Sequence, residues 1–134
     1  MLDLEIRTHN MISGVLVGTP VEVVSGSKAI VELITTPEME ADASGLTHGG
    51  FTFGLADYAA MLAVNHPNVV LGSAQTKFLI PVKTCEKMRA EAIVKNTEGI
   101  KSEVNVDVTV DGKKVFTGIF QCYSLEKHVL NKIK

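Results

Sequence analysis

Asp57 is the one charged residue in an otherwise apolar segment that runs from Gly49 to Val64. Apolar residues fall on nearly every side of the helix that this segment predicts, and such a helix is normally buried. Carboxylates are seldom buried unless they are paired, and the segment supplies no Lys or Arg as a partner. This isolation favours a functional carboxylate. On spacing alone two structural roles stay open, a hydrogen-bonded buried residue and a residue that reaches solvent through a gap in the apolar face.

The start of the same helix carries a second feature that could take part in chemistry. His48-Gly49-Gly50 places small residues in the first turn, where backbone N–H groups have no partner within the helix. Those donors and the helix dipole favour negative charge, so an acyl carbonyl bound there would have its developing oxyanion stabilised. Glycine also lets a substrate approach the backbone closely. Gly54, on the same helical stripe as Asp57, predicts a further close packing contact.

The separation of these two features limits how they could cooperate. Asp57 follows Gly49 by eight residues. That spacing corresponds to about 12 Å along a helix that rises 1.5 Å per residue. Within one chain, a single substrate atom cannot touch both groups at that distance. A symmetric dimer, in which each chain supplies one of the two groups to a shared site, would bring them together.

The composition is that of one globular domain, which we place at residues 1–134. The 134 residues are 46% hydrophobic and 21% charged, with a net charge of −2, so neither nucleic acid nor a membrane is an expected partner. Cys85 and Cys122 are isolated and show no metal-binding or redox spacing. The N-terminal residues do not have the pattern of a signal peptide, and no apolar run has the length of a membrane span. We therefore expect a cytoplasmic protein.

The chain as a whole predicts an α+β fold. A short, weakly amphipathic helix is expected over residues 5–16, and a long central helix over residues 49–65, which His66-Pro67 would end. Strands are expected as a hairpin within residues 18–36 and near residues 70–80, 85–97, 100–110 and 114–125. Short turns between successive strands imply antiparallel pairing. One helix covers a sheet of about six strands poorly, so we expect self-association.

The segment HGGFTFGLADYAA, residues 48–60, resembles the HGG…LAD-x-A signature of hotdog-fold acyl-CoA thioesterases, in the phenylacetate-degradation (PaaI-type) and acyl-thioesterase-13-like branch. The resemblance implies an antiparallel sheet wrapped around one long helix, and a homodimer or a tetramer with active sites at the dimer interface. It also implies that Asp57 acts as general base or nucleophile towards a thioester. The amide of Gly49, beside Gly50, would polarise the carbonyl from the other chain, and His48 would shape the loop.

The chain departs from this family at one position. Many relatives carry Asn six residues before the His, where it helps to place the water or the carbonyl. Here that residue is Asp42, which has no donor when it is ionised. Either water activation differs in this chain, or Asp42 has a raised pKa. Some relatives use a Ser or Thr on the strand after the helix, and both Ser73 and Thr76 are candidates for that role.

The same resemblance indicates how the acyl and coenzyme A parts of a substrate would bind. Contacts to pantetheine and nucleotide come from the strand and loop at residues 77–83, which include Phe78. Lys77 and Lys83 could meet the phosphates there. Apolar side chains of the helix would line an acyl pocket that admits aromatic or medium-chain groups: Phe51, Phe53, Tyr58 and Leu62. Coenzyme A is part of the substrate, so no cofactor and no metal is expected.

Three functions fit these residues. An acyl-CoA thioesterase leads, and a non-catalytic acyl-CoA-binding module, like the effector domains of lipid-sensing regulators, is the alternative. The lack of a basic segment or a DNA-binding helix counts against a regulator. A hotdog hydratase ranks last because Asp42 and His48 do not have its Asn-Pro context. His9, His66 and His128 lie near chain or helix ends without a Ser or Cys motif, so a nucleophile–His triad is not expected.

Overall fold

The computed structural model describes residues 5–132 of the chain. Its main elements, in chain order, are α1 (Gly14–Val17), β1 (Thr19–Val24), β2 (Lys28–Ile34), α2 (Gly49–Val64), β3 (Val69–Phe78), β4 (Lys87–Glu98), β5 (Lys101–Val110) and β6 (Lys113–Ser124). Two short 3-10 helices lie at Pro37–Met39 and Val129–Lys132. Within these residues, no helix combines the length and the apolar composition that crossing a bilayer requires.

The strands form one antiparallel sheet in the order β1-β2-β4-β5-β6-β3. β1 and β3 are therefore the edge strands, and α2 packs across the middle of the sheet. The hairpin between β5 and β6 turns at Asp111 and Gly112, whose φ angles of 49° and 80° suit a type I′ turn. The predicted α+β class, with an antiparallel sheet of six strands on one long helix, is confirmed.

Alternation along β5 decides which of its side chains face α2. Val104, Val106 and Val108 are completely buried. Asp107, between two of them, lies on the outer face and is only partly buried. Ile100, which the same alternation assigns to the buried row, is 50% exposed because it lies in the turn before the strand. The strand thus follows its sequence pattern, and it begins one residue after the predicted start at Ile100.

α2 approaches the sheet closely because half of its buried face is alanine. Its buried residues are Thr52, Leu55, Ala56, Ala59, Ala60, Met61, Leu62 and Ala63. On the sheet side, Ala90 and Ala92 of β4 are also completely buried. The larger residues, Leu55 and Leu62, fill the remaining space. Truncation of either to Ala would destabilise the fold by about 2–5 kcal/mol.

The N-terminal segment differs from its prediction. The helix expected over residues 5–16 is limited to Gly14–Val17, and residues 5–13, here called the N-terminal strap, contain neither helix nor strand. Asn65 provides the reason. Its Oδ1 accepts a hydrogen bond from the Arg7 N–H at 2.8 Å, and its Nδ2 donates to the Glu5 carbonyl at 2.9 Å. A side chain of the neighbouring element thus satisfies backbone groups of the strap in a non-helical conformation.

α2 ends one residue before the predicted boundary, and for a different reason. Asn65 adopts the left-handed conformation with a φ angle of 54°, and its N–H donates to the Met61 carbonyl at 2.7 Å. This geometry is a common way to end a helix, and Asn tolerates it better than most residues. Pro67 lies two residues beyond this cap, so the cap and not the proline ends the helix.

Candidate active site

Asp57 faces a cavity of about 380 Å³ near the C-terminal half of α2. The walls come from the N-terminal strap, α2, the start of β3 and the C-terminal segment. The Oδ1 atom of Asp57 is buried and has no hydrogen-bond partner among residues 5–132. Burial raises the pKa of this carboxyl from 3.8 to about 6.

These properties of Asp57 fit a proton acceptor. A general base works best when its pKa lies near the working pH, because it is then ionised and still basic. A carboxyl whose pKa is about 6 meets that condition at neutral pH. Asp57 also lines the cavity, so water there can approach the carboxyl group, although its Oδ1 atom is itself buried. Asp57, the carboxylate that the sequence singles out, therefore lies in an environment typical of functional carboxylates.

Cys122, on β6, is the titratable residue that interacts electrostatically with Asp57. Burial, and to a smaller extent the charge of Asp57, raises the pKa of the Cys122 thiol to about 12. A thiol with so high a pKa is not a nucleophile at neutral pH. Across residues 5–132, no three or more His, Cys, Asp or Glu side chains form a group that could hold a metal ion. Of Asp57 and Cys122, the carboxylate is the reactive group.

Two histidines that the sequence analysis set aside also line the Asp57 cavity. His9 comes from the N-terminal strap and His128 from the C-terminal segment. The Nδ1 atom of His128 accepts a hydrogen bond from the Leu130 N–H at 3.1 Å, so its neutral ring carries the proton on Nε2. The spacing of these residues gave no signal, because their proximity to Asp57 depends on where the two chain ends pack.

The start of α2 presents free hydrogen-bond donors. The N–H groups of Gly49 and Gly50 have no partner within residues 5–132, and His48 forms no side-chain cap. Aromatic rings occupy the space beside both glycines. A Cβ on Gly49 would lie 3.1 Å from the ring of Phe78, and one on Gly50 would lie 3.0 Å from the ring of His48. Free amides at a helix N-terminus can stabilise an oxyanion.

Gly54 does not have the close contact that its position in the helix predicts. A Cβ on Gly54 would meet Val17 at 4.0 Å and no nearer atom of the described chain. That distance is ordinary van der Waals contact. Packing within residues 5–132 therefore does not require a glycine at this position.

Gly49 and Asp57 line different cavities. Gly49 lies beside a cavity of about 220 Å³, with Phe78 and Val82 among its walls. No residue of that wall also lines the 380 Å³ cavity of Asp57. One chain therefore does not assemble the carboxylate and the amide donors at one point, in agreement with the spacing of about 12 Å that helix geometry gives.

Asp42 lies in an exposed turn, and the option of a raised pKa is wrong. Its Oδ1 accepts hydrogen bonds from the Ser44 hydroxyl at 2.6 Å and from the Ser44 N–H at 2.9 Å. These bonds favour the ionised form and lower the pKa of the carboxyl. An ionised Asp42 offers acceptors only. A role that needs an N–H donor must therefore belong to another residue.

The predicted aromatic and apolar lining residues are divided between the two ends of α2 and the core. Phe51 packs edge-on against His48, with ring centroids 6.2 Å apart. Tyr58 lies 6.4 Å from His9 between ring centroids, but it is not among the residues that line the Asp57 cavity. Leu62 is completely buried, so its expected place in an acyl pocket is wrong for this chain: it belongs to the core.

The predicted strand residues lie on β3, away from Asp57. Thr76 and Lys77 line a third cavity of about 610 Å³ between β3 and β6. Ser73 is exposed and follows an irregularity in the register with β6. Phe78 is 57% exposed and packs on Phe116 with ring centroids 5.0 Å apart. None of these four predicted residues lines the Asp57 cavity, so the choice between Ser73 and Thr76 stays open.

Fold and site together define the class of protein. The antiparallel sheet on one long helix is the hotdog fold, and this helix carries a lone carboxylate and free glycine amides at its start. The family model of the thioesterase superfamily matches residues 44–117. The chain belongs to the thioesterase superfamily.

Solved structures agree with this assignment. An uncharacterized protein from Pyrococcus horikoshii is 52% identical, with 97% of this chain and 99% of that chain covered and a TM-score of 0.94. A sigma28-regulated virulence protein from Campylobacter jejuni is 32% identical, with coverages of 93% and 96% and a TM-score of 0.90. A mutant of the phenylacetic acid degradation protein PaaI from Thermus thermophilus is 26% identical, with coverages of 82% and 95% and a TM-score of 0.75.

Two curated relatives are longer than this chain. A methylthioribose-1-phosphate isomerase from Aquifex aeolicus is 48% identical over 117 residues, which are 87% of this chain and 25% of that protein. The transcription factor FapR from Caldanaerobacter subterraneus is 26% identical over 126 residues, which are 94% of this chain and 63% of that protein. The chain therefore spans less than two thirds of the length of either relative.

Proposed function

We propose that this protein is an acyl-CoA thioesterase. The observation that carries the proposal is the state of Asp57 in a chain of the thioesterase superfamily. Asp57 lines a cavity, its Oδ1 atom is buried without a hydrogen-bond partner among residues 5–132, and burial raises its pKa to about 6. A carboxylate of this kind can accept a proton from water or attack a carbonyl itself at neutral pH.

In the proposed reaction, Asp57 acts as general base for water or as nucleophile at the thioester carbonyl carbon. The carbonyl oxygen gains negative charge, and the Gly49 amide of a second copy donates to it, with the Gly50 amide as its neighbour. The C–S bond then breaks and coenzyme A leaves as the thiol. When water attacks, its oxygen becomes part of the carboxylic acid product. When Asp57 attacks, an anhydride between Asp57 and the acyl group forms first, and water then hydrolyses it to release the carboxylic acid and restore Asp57. His48 keeps the turn before the helix in shape.

A homodimer follows from this mechanism because one chain holds the two groups in separate cavities. The edge strand β3 supports this step. Val69 at its start lines the Asp57 cavity, and Phe78 at its end lines the Gly49 cavity. Two copies of β3 paired antiparallel would bring the start of one strand beside the end of the other. Each Asp57 would then face the partner's Gly49. A tetramer made of two such dimers stays a prediction.

The substrate class follows from the walls of the cavity. Met61 and Leu71 contribute apolar surface beside Asp57, which suits an aromatic or medium-chain acyl group. Lys77 and Lys83 are exposed and available for the phosphates of coenzyme A. We also keep the cytoplasm as the proposed location, since Cys85 and Cys122 are both free thiols, as is usual in a reducing compartment.

A non-catalytic acyl-CoA-binding module is the second candidate. The observation in its favour is the likeness to FapR, a transcription factor, over 94% of this chain. Such a module would bind acyl-CoA at the same cavity and release no thiol. The raised pKa of Asp57 favours the enzyme, because a carboxylate that only anchors a ligand gains nothing from being hard to ionise.

Release of coenzyme A thiol from a panel of aromatic and medium-chain acyl-CoAs tests the proposal, with Asp57→Asn as the matched variant. The enzyme requires wild-type turnover that the Asn variant loses, because an amide cannot accept the proton. Full activity in Asp57→Asn would overturn the assignment. Tight binding of an acyl-CoA by the wild type without thiol release would instead support the binding module.

A further inference from the structure

His9 is exposed, and contacts of its neighbours in the strap hold its backbone beside the Asp57 cavity. Its φ angle of 55° lies in the left-handed region, which is unfavourable for a residue with a side chain. Asn65 anchors the strap just before it, through the backbone of Glu5 and Arg7. The neighbouring Thr8 is 5% exposed, and its hydroxyl lies 2.8 Å from the His9 Nδ1 atom. These contacts hold the imidazole at the wall of the Asp57 cavity.

The hydrogen bond to Thr8 decides where the proton of a neutral imidazole lies. The donor in this contact depends on the tautomer of the ring, and no other described residue accepts from the Thr8 hydroxyl. In the tautomer that has Thr8 as donor, Nδ1 is the acceptor. The proton of the neutral ring is then on Nε2. No described residue forms a hydrogen bond with Nε2. Partial burial of the ring lowers the His9 pKa, which keeps the imidazole neutral at neutral pH.

We propose that His9 is a further catalytic residue of this site, whose Nε2–H donates a hydrogen bond to the water that Asp57 deprotonates. This inference rests on the proposed thioesterase function with Asp57 as general base. The water donates one hydrogen to the Asp57 carboxylate and accepts a hydrogen bond from His9, and its remaining lone pair attacks the thioester carbonyl carbon. The C–S bond breaks, and the proton taken by Asp57 passes to the coenzyme A thiolate. The products are one carboxylic acid and one thiol.

His9 supplies what Asp42 lacks. Asp42 is ionised by its bonds to Ser44 and offers only acceptors, so it cannot donate a hydrogen bond to a lone pair of the water. His9 and Asp57 line the same 380 Å³ cavity, which has room for ordered water between donor and acceptor. His128 also lines that cavity, but its Nδ1 accepts from the backbone N–H of Leu130, and no buried side chain like Thr8 contacts its ring.

Steady-state hydrolysis of octanoyl-CoA and benzoyl-CoA at pH 8 tests the inference with three variants. His9→Ala removes the donor, and we expect kcat to fall about 10- to 100-fold, the usual cost of a misplaced reactant, with KM nearly unchanged. His9→Gln keeps an N–H close to the position of Nε2 and should recover most of the lost kcat. Asn10→Ala changes the adjacent exposed strap residue and should match the wild type. Nitrogen-15 NMR of the imidazoles should show His9 protonated on Nε2 and not on Nδ1.

The outcomes separate this inference from the proposed function. A wild type that releases no thiol overturns both. An active wild type with an equally active His9→Ala overturns the role of His9 alone, and so does a variant in which only KM changes. Three further results would contradict the proposed hydrogen bond from His9 Nε2–H to the water. These are a His9→Gln variant as slow as His9→Ala, an Asn10→Ala variant that is equally slow, and an NMR spectrum that places the proton on Nδ1.

Discussion

Asp57 and Gly49 lie on one helix, but each lies beside an opposite end of the edge strand β3. The Asp57 cavity is walled by residues 69–71 at the start of the strand, and the Gly49 cavity by Phe78 at its end. An antiparallel pair of β3 strands reverses one copy relative to the other. In the proposed dimer, the arrangement that separates the two groups within a chain would bring them together between two chains.

Activity should depend on pH through Asp57. The carboxylate must be ionised to accept a proton, and its pKa in the free protein is about 6, so kcat/KM should rise with pH through that value and level off above it. A pH series of thiol release, with a correction for the uncatalysed reaction, measures the midpoint. A midpoint near the ordinary value for Asp would mean that the free carboxyl is not the group that limits the rate.

The amide of Gly49 can be removed without loss of the helix. Gly49 is the first residue of α2, where proline is well tolerated, and His48 before it has a ψ angle of 131°, which a following proline accepts. Gly49→Pro should lower kcat about 100- to 1000-fold, as for loss of one oxyanion donor.

Gly49→Ala is the matched control for that substitution. It keeps the N–H and introduces the same Cβ beside the ring of Phe78, at 3.1 Å. We expect it to retain far more kcat than Gly49→Pro. Equal losses in the two variants would attribute the effect to crowding at Phe78 and not to the amide. Circular dichroism would show that the helix content is unchanged in both.

Two inactive variants should restore activity to each other. When Asp57→Asn and Gly49→Pro chains are co-expressed, a mixed dimer has one site with both groups intact and one site with neither. Random pairing makes half of the dimers mixed, so the preparation should recover about one quarter of wild-type kcat per site. Sites formed within single chains would give no recovery. Chains mixed after folding, without exchange of subunits, provide the control.

Asp57→Asn should stabilise the fold at neutral pH. The carboxyl has a pKa of about 6 in the folded chain and 3.8 in the reference state. The stability that its protonated form allows is therefore fully present below pH 3.8, and this contribution is lost as pH rises through about 6. At 1.36 kcal/mol per pKa unit, this pKa shift lowers the free energy of unfolding of the wild type by roughly 2–3 kcal/mol above pH 7.

Chemical denaturation of the wild type and the Asn variant at pH 5 and pH 8 measures this effect. The advantage of Asn should be larger at pH 8, because the buried charge that it removes is then fully formed. An advantage that stays constant with pH would mean that the folded and unfolded chains ionise Asp57 alike. Loss of activity together with a gain in stability would be typical of a functional residue.

Local patterns predicted the fold well. β5 alternates between buried valines and outer polar residues because a strand presents successive side chains to opposite faces. The apolar composition of residues 49–64 predicted a buried helix, and the two residues Asp111 and Gly112 predicted a hairpin, since each signal depends on neighbours in the chain. The N-terminal helix was wrong because Asn65, distant in sequence, holds the strap in another conformation.

The sequence predicted the two reactive groups of the candidate site but not their surroundings. Asp57 and the glycine amides could be found because a charge in an apolar helix and a Gly-Gly helix start are local anomalies. Their separation of about 12 Å also follows from helix rise alone. The sequence by itself thus determined the helix, the strands and the two groups that the helix carries.

Only the tertiary structure decided what surrounds Asp57. The unpaired oxygen, the pKa of about 6 and the approach of His9 and His128 all depend on how the strap, β3 and the C-terminal segment pack around one end of α2. Burial and proximity are properties of residues far apart in the chain, so no local pattern encodes them. The burial of Asp57 and its proximity to the histidines depend on non-local contacts, such as the hydrogen bonds by which Asn65 holds the strap against the end of α2.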